Sequence, residues 1–101
     1  MYDVKFTDEF DAWLSGLQDS TTRLRLSRRL EKASRGILGD VKSIGENLYE
    51  MREHFGPGWR MYYLLHGNTL LVMLGGGDKS SQSRDIAKAK FIAHQLNEIE
   101  P

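Results

Sequence analysis

The chain reads as an α+β domain of order β-α-α-β-β-β-α, a mainly antiparallel sheet with helices packed on one face. Three observations predict this. Apolar residues recur at helical spacing in two stretches near the N-terminus and in one at the C-terminus. They alternate with polar residues along 47–54 and dominate a strand-forming run over 59–65. Glycine-rich turns separate these segments. The 101 residues form one domain, 1–101, with no repeat, linker or low-complexity run.

Val4, Lys5 and Phe6 make a short first strand. Thr7 then caps a helix whose first turn carries Asp8 and Glu9, acids favoured at the positive end of the helix dipole. Phe10, Trp13, Leu14 and Leu17 follow at i, i+3, i+4 and i+7, one apolar face. Asp19 or Ser20 starts a second helix, with Leu26, Leu30, Ala33 and Ile37 inward and Arg25, Arg28, Arg29, Lys32 and Arg35 over the remainder. Gly36 and Gly39 mark its end. Along Asn47 to His54, Tyr49 and Met51 point one way, and Glu50, Arg52 and His54 the other. Trp59 to Leu65 sets Arg60 and Tyr62 opposite Trp59, Met61 and Tyr63. Gly67-Asn68 turns the chain into a buried strand, Thr69 to Leu74, which Gly75, Gly76 and Gly77 end. A last helix starts near Ser80 to Ser83, with Ile86, Ala89, Ile92, Ala93, Leu96 and Ile99 at helical spacing, and Pro101 closes the chain.

Composition narrows the function classes. There is no cysteine, hence no disulfide, thiolate metal site or thiol nucleophile. No apolar run approaches the ~18 residues that span a bilayer. The N-terminus has neither the basic start nor the apolar stretch of a signal peptide, so a cytoplasmic protein is expected, with no membrane partner. Net charge is zero, which argues against a bulk polyelectrolyte binder. Its distribution is uneven. Residues 1–20 carry one Lys and five acids, 21–60 carry nine Lys or Arg and five acids, and the rest carry four of each. An acidic start and a basic middle suit a local anionic partner while keeping non-specific nucleic-acid affinity low. No His, Asp or Glu cluster has metal-ligand spacing and no nucleotide-phosphate loop occurs, so neither metal nor cofactor is implied.

With helices on the Tyr49, Met51, Met61 and Tyr63 face, the open face presents Glu50, Arg52, His54, Arg60 and Tyr62. Two glycine-marked turns bring cations beside it: Gly56-Pro57-Gly58 leads to Arg60, and Gly75-Gly76-Gly77 leads to Lys79. With Arg52, this makes three cations on neighbouring segments, enough to bind one phosphate group.

These residues carry a resemblance. The chain resembles the HigB-like addiction module killer toxins of the RelE/ParE superfamily, from Phe6-Thr7-Asp8-Glu9-Phe10 through the final helix. The most specific stretches are Tyr49-Glu50-Met51-Arg52, Gly56-Pro57-Gly58-Trp59-Arg60-Met61-Tyr62-Tyr63, and Gly76-Gly77-Asp78-Lys79-Ser80-Ser81-Gln82 with Asp85-Ile86 after it. The resemblance implies a compact RelE-like fold and a toxin neutralised by a helix-turn-helix antitoxin. For RelE-like members it also implies endonucleolytic cleavage of mRNA, commonly in the ribosomal A site. ParE-like relatives act on DNA gyrase without nuclease chemistry, and they lack the basic cluster that this chain keeps. Some nuclease members carry His and Tyr near the C-terminus. Here the only aromatic after Gly75 is Phe91 and the only histidine is His94.

Metal-independent RNA cleavage needs the ribose 2′-oxygen in line with the scissile phosphate, cations for the phosphorane, and a proton for the leaving 5′-oxygen. Arg60 suits the phosphate because its planar fork makes bidentate oxyanion contact; the plainer reading pairs it with Glu50 or Glu53. Lys79 can bind the same phosphate or supply the proton, or be a turn lysine in solvent. Arg52 binds backbone phosphate, joins the cluster, or pairs with Glu50. Glu50 and His54 are the candidate bases, histidine being suited to proton transfer near neutral pH. Tyr62 can stack on a base or pack in the sheet. Arg25, Arg28, Arg29 and Lys32 can meet ribosomal RNA, with a solvated helix face as the plainer reading. Ser81 and Gln82 read as caps of the last helix. An antitoxin is expected on the helical hairpin or over the basic sheet face.

Overall fold

The computed structural model describes residues 1–99, the last three by backbone alone. Pro101 and the side chain of Ile99 therefore lie outside the described residues. Strand β1 (Asp3–Phe6) leads into helices α1 (Asp8–Gly16) and α2 (Ser20–Ser34). Strands β2 (Val41–Gly45), β3 (Leu48–Arg52), β4 (Trp59–His66) and β5 (Leu70–Asp78) follow, then a 3-10 turn at Lys79–Ser81 and helix α3 (Gln82–Ile99). The sheet order is β1-β5-β4-β3-β2, with β1 parallel to β5 and every other pair antiparallel. The α+β class and the largely antiparallel sheet are as expected.

Thr7 joins strand to helix. Its Oγ1 accepts from the Phe10 amide at 3.2 Å, satisfying a free helix-start donor, and donates to the Met73 carbonyl at 2.8 Å. The cap therefore pins α1 onto β5. Behind it, Phe10 and Leu14 of α1 and Leu26, Leu30 and Ala33 of α2 bury themselves against Met51, Met61, Tyr63, Leu71 and Met73 of the sheet. Ile37 is the exception among the expected inward residues. It lies past the end of α2 and is exposed.

Three expectations are corrected. An extra strand, β2, pairs with β3 through a turn at Asn47, whose φ of 58° is left-handed. Its Lys42 and Ser43 are both exposed, so no alternation marks it; hydrogen bonding to β3 makes it a strand. Gly75, Gly76 and Gly77 do not end β5 but lie within it, paired with Tyr62, Met61 and Arg60. Lastly, the helices occupy both faces rather than one. Helix α3 packs Ala89, Ile92 and Ala93 onto Leu48, Tyr62, Leu64 and Leu74, forming a second core. The apolar stripe of α3 needs a partner, and these residues supply an apolar surface on the face opposite α1 and α2.

Candidate functional site

Register brings the cations together at one end of the sheet. Arg52 of β3 pairs with Arg60 of β4, and Arg60 pairs with Gly77 of β5, one residue before Asp78 and two before Lys79. The turn before β4 completes the approach. Gly58 sits at φ 82°, a left-handed conformation that favours glycine, and its Cβ position would lie in van der Waals contact with Lys79 Cβ at 3.4 Å and Arg60 Nη1 at 3.5 Å. Arg60 of β4 and Lys79, first residue of the 3-10 turn after β5, thus flank the same glycine.

Arg60 is buried, and its Nη1 donates to the carbonyls of Glu53 and Trp59, both at 3.1 Å. These bonds tie the guanidinium to the base of the β3–β4 turn, and Nη2 makes neither of them. The plainer alternative, pairing with the Glu50 or Glu53 side chain, does not occur; Arg60 meets Glu53 through its carbonyl alone. Lys79 is exposed at the start of the 3-10 turn. Beside it the Asp78 carboxylate accepts from the Ser80 amide at 2.8 Å and from the Ser80 hydroxyl. The hydroxyl, then the amide, hold Asp78 below its ordinary range.

Arg52 and His54 share a partner that sequence reasoning missed. Arg52 Nη2 donates to Asp40 Oδ1 at 3.1 Å, and His54 Nε2 lies 2.7 Å from Asp40 Oδ2. The His54 bond first, and Arg52 second, hold the Asp40 carboxyl below its usual range. Asp40 carried no signal: it is one turn aspartate, 14 residues from His54 in the chain.

Three expected site residues are placed otherwise. Glu50 is fully buried under α3, its Oε2 accepting from Gln82 Nε2 at 2.8 Å, so it does not offer a base at the surface. Gln82 therefore turns inward rather than capping α3. Tyr62 is fully buried in the second core, which leaves no face for a nucleobase. Burial, with the Glu50 carboxyl beside it, pushes the Tyr62 phenol far up. Arg29 points inward, donating to the carbonyls of Leu38, Asp40 and Arg52 and to Glu53 Oε2 at 3.0 Å. Arg25 and Arg28 remain exposed on α2. Arg25 lies 3.7 Å over the Phe55 ring, a cation–π contact that ties α2 to the β3–β4 turn.

Among the described residues no group of His, Asp and Glu is placed to hold a metal ion, and no helix is long and apolar enough to cross a membrane. A groove of about 610 Å³ lies between β1, β5 and α3, away from the cation cluster.

The molecule is thus a small α+β domain with a cation cluster where β3 and β5 end and β4 begins. This fold has solved counterparts. The chain superposes on a chain of the intact E. coli RelBE toxin–antitoxin complex with a TM-score of 0.64, at 17% identity, over 77% of this chain and 96% of that one. It superposes on a mutant of E. coli toxin RelE in the free state with a TM-score of 0.65, at 18% identity, over 86% and 95%. Its fold is therefore the RelE-like fold that the resemblance implied. An uncharacterized protein of Haemophilus influenzae is 37% identical over 93 residues, which cover 92% of this chain and 94% of the relative. The chain belongs to one family with that protein. No protein-family model matches it.

Proposed function

We propose that the chain is the toxin of a type II toxin–antitoxin system, an mRNA endoribonuclease acting on the ribosome and neutralised by a helix-turn-helix antitoxin. The observation that carries this reading is the convergence of Arg60 and Lys79 at Gly58, with Arg52 alongside. The RelE-like fold supports it.

In the proposed reaction the ribose 2′-oxygen attacks the adjacent phosphorus and its proton passes to His54. The P–O5′ bond breaks, and the leaving 5′-oxygen takes a proton from Lys79. The products are a 2′,3′-cyclic phosphate and a 5′-hydroxyl. Arg60, through its outer nitrogen, and Arg52 hold the phosphate while charge accumulates on it. Lost preorganised donors of this kind cost roughly 10²–10³ in rate.

The test adds purified chain to ribosomes programmed with a defined mRNA and maps the new 5′ ends. Cleavage at the A-site codon, reduced roughly 10²-fold or more in Arg60→Ala and in Lys79→Ala, is the expected result. Cleavage of free mRNA as well removes the ribosome dependence. Unchanged cleavage in both variants removes this site assignment. Burial of Glu50 and Tyr62 removes one candidate base and the expected stacking aromatic from the surface, the observation that favours the second reading, a ParE-like gyrase inhibitor. Accumulation of cleaved gyrase–DNA complexes without RNA cleavage would select it.

A further inference from the structure

We propose that Asp40 is a positioning residue for proton transfer by His54, an inference that rests on the nuclease reading above. A carboxylate only accepts hydrogen bonds. With Asp40 Oδ2 at 2.7 Å, the Nε2 of His54 must carry the hydrogen, which makes Nδ1 the accepting nitrogen of the neutral ring. An imidazole as exposed as this one would otherwise sample both tautomers and several rotamers. Asp40 selects one of each.

The carboxylate is itself held. Arg52 Nη2 occupies Oδ1 at 3.1 Å, so both oxygens are committed and the carboxylate cannot turn from His54 without losing a cation. Below it the backbone is clamped. Arg29 Nη2 donates to the Asp40 carbonyl at 2.9 Å and Nε and Nη2 donate to the Leu38 carbonyl, while the Arg52 amide also donates to the Asp40 carbonyl at 2.9 Å. Gly39, at φ 71°, lets this guanidinium lie against the turn, since a Cβ there would be 3.0 Å from Arg29 Nη2. An exposed ion pair alone contributes little to stability. A carboxylate built on a turn fixed by a mostly buried arginine, and shared between a phosphate-binding arginine and a histidine, is placed to orient rather than to stabilise. Next to His54 in the chain, Glu53 is paired with Arg29 of α2, and its carbonyl accepts from Arg60 of β4.

Asp40→Asn tests this while leaving the backbone clamp in place, because Arg29 holds the Asp40 carbonyl and not its side chain. Two readouts are needed. Long-range ¹H–¹⁵N spectra of the free chain report the His54 tautomer directly: a single Nε2–H form in the wild type and a mixture in Asp40→Asn. Cleavage on programmed ribosomes reports the consequence: kcat falls roughly 10²-fold with KM within about twofold, as loss of an oriented general base does. His54→Ala falls equally, and the double variant falls no further, because the two act as one unit. Unchanged tautomer, unchanged kcat, or additive losses overturn the assignment of Asp40 alone, provided Arg60→Ala still reduces cleavage roughly 10²-fold or more. A wild-type chain that cuts no RNA overturns the nuclease reading and this inference with it.

Discussion

Arg29 belongs by composition to the basic face of α2, yet its role is internal. With 10% of its side chain exposed, it satisfies three backbone carbonyls and the Glu53 carboxylate, and so joins α2 to the turn before β2 and to the end of β3. Arg29→Ala takes its donor from a largely buried carboxylate and from the Leu38 and Arg52 carbonyls, and should cost roughly 2–3 kcal/mol by urea denaturation. Arg28→Ala, one residue away and exposed, should change stability by less than about 0.5 kcal/mol. Equal effects of the two would mean that the Arg29 clamp does not form in solution. Tyr62 poses the opposite case. Its hydroxyl is buried without a hydrogen-bond partner among the described residues, so the polar group is a cost. Tyr62→Phe should keep or raise the urea midpoint and leave RNA cleavage unchanged; a large loss of cleavage would restore the sequence-based role of Tyr62 in binding a base.

At the scale of elements, β5 is where two helices approach one strand from opposite sides. A Cβ on Gly76 would lie 2.4 Å from the Trp13 ring of α1, and one on Gly77 would lie 1.9 Å from the Asp85 carboxylate of α3. The glycines therefore continue the strand and serve as contact points for both layers, and this is why they sit beside Arg60 rather than after the sheet. The Trp13 ring is also edge-on to Trp59 at 6.3 Å, so it has little room to yield. Gly76→Ala should destabilise by about 1–3 kcal/mol, as overpacking does. Gly75→Ala, with nothing within 4 Å of its Cβ position, should be nearly neutral. A thermal-melt series of the two separates close approach from strand propensity, which would penalise both positions alike.

For the whole molecule, stability should be bounded at both ends of the pH scale. Burial, reinforced by the neighbouring Tyr49 phenol, pushes Tyr63 up to about 12 from an ordinary 10.0, and burial raises Tyr62 further. The folded chain holds these protons more tightly than the unfolded one. Their contribution is complete below pH 10 and is lost as pH rises through that window. Asp19, Asp40 and Asp78 are held below 3.8 by side-chain hydrogen bonds from Thr22, His54 and Ser80 respectively. What they contribute is present above that value and lost as pH falls through their depressed values. Urea midpoints across pH should therefore show a plateau with an acid limb and an alkaline limb. Phenylalanine at positions 62 and 63 should flatten only the alkaline limb.

Much of this protein follows from its sequence alone. Periodicity specified α1 through Phe10, Trp13, Leu14 and Leu17, and the alternation along β3 and β4 set Arg52 and Arg60 on one side of adjacent strands. Those patterns repeat over a few residues, and local backbone geometry with a period of 2 or 3.6 dictates them. Tertiary structure decided which face stays open. The face bearing Glu50 and Tyr62 looks available until α3, whose own stripe needs a partner, closes over it. It also decided the long-range polar pairs: Glu50 with Gln82 across 32 residues, and His54 with Asp40 across 14. A side-chain hydrogen bond between distant segments depends on register and on the packing of both, and no local pattern encodes it. The cations of the site were legible because strand alternation and turn glycines place them. The carboxylate that orients the histidine was not, because only the folded turn under Arg29 brings it there.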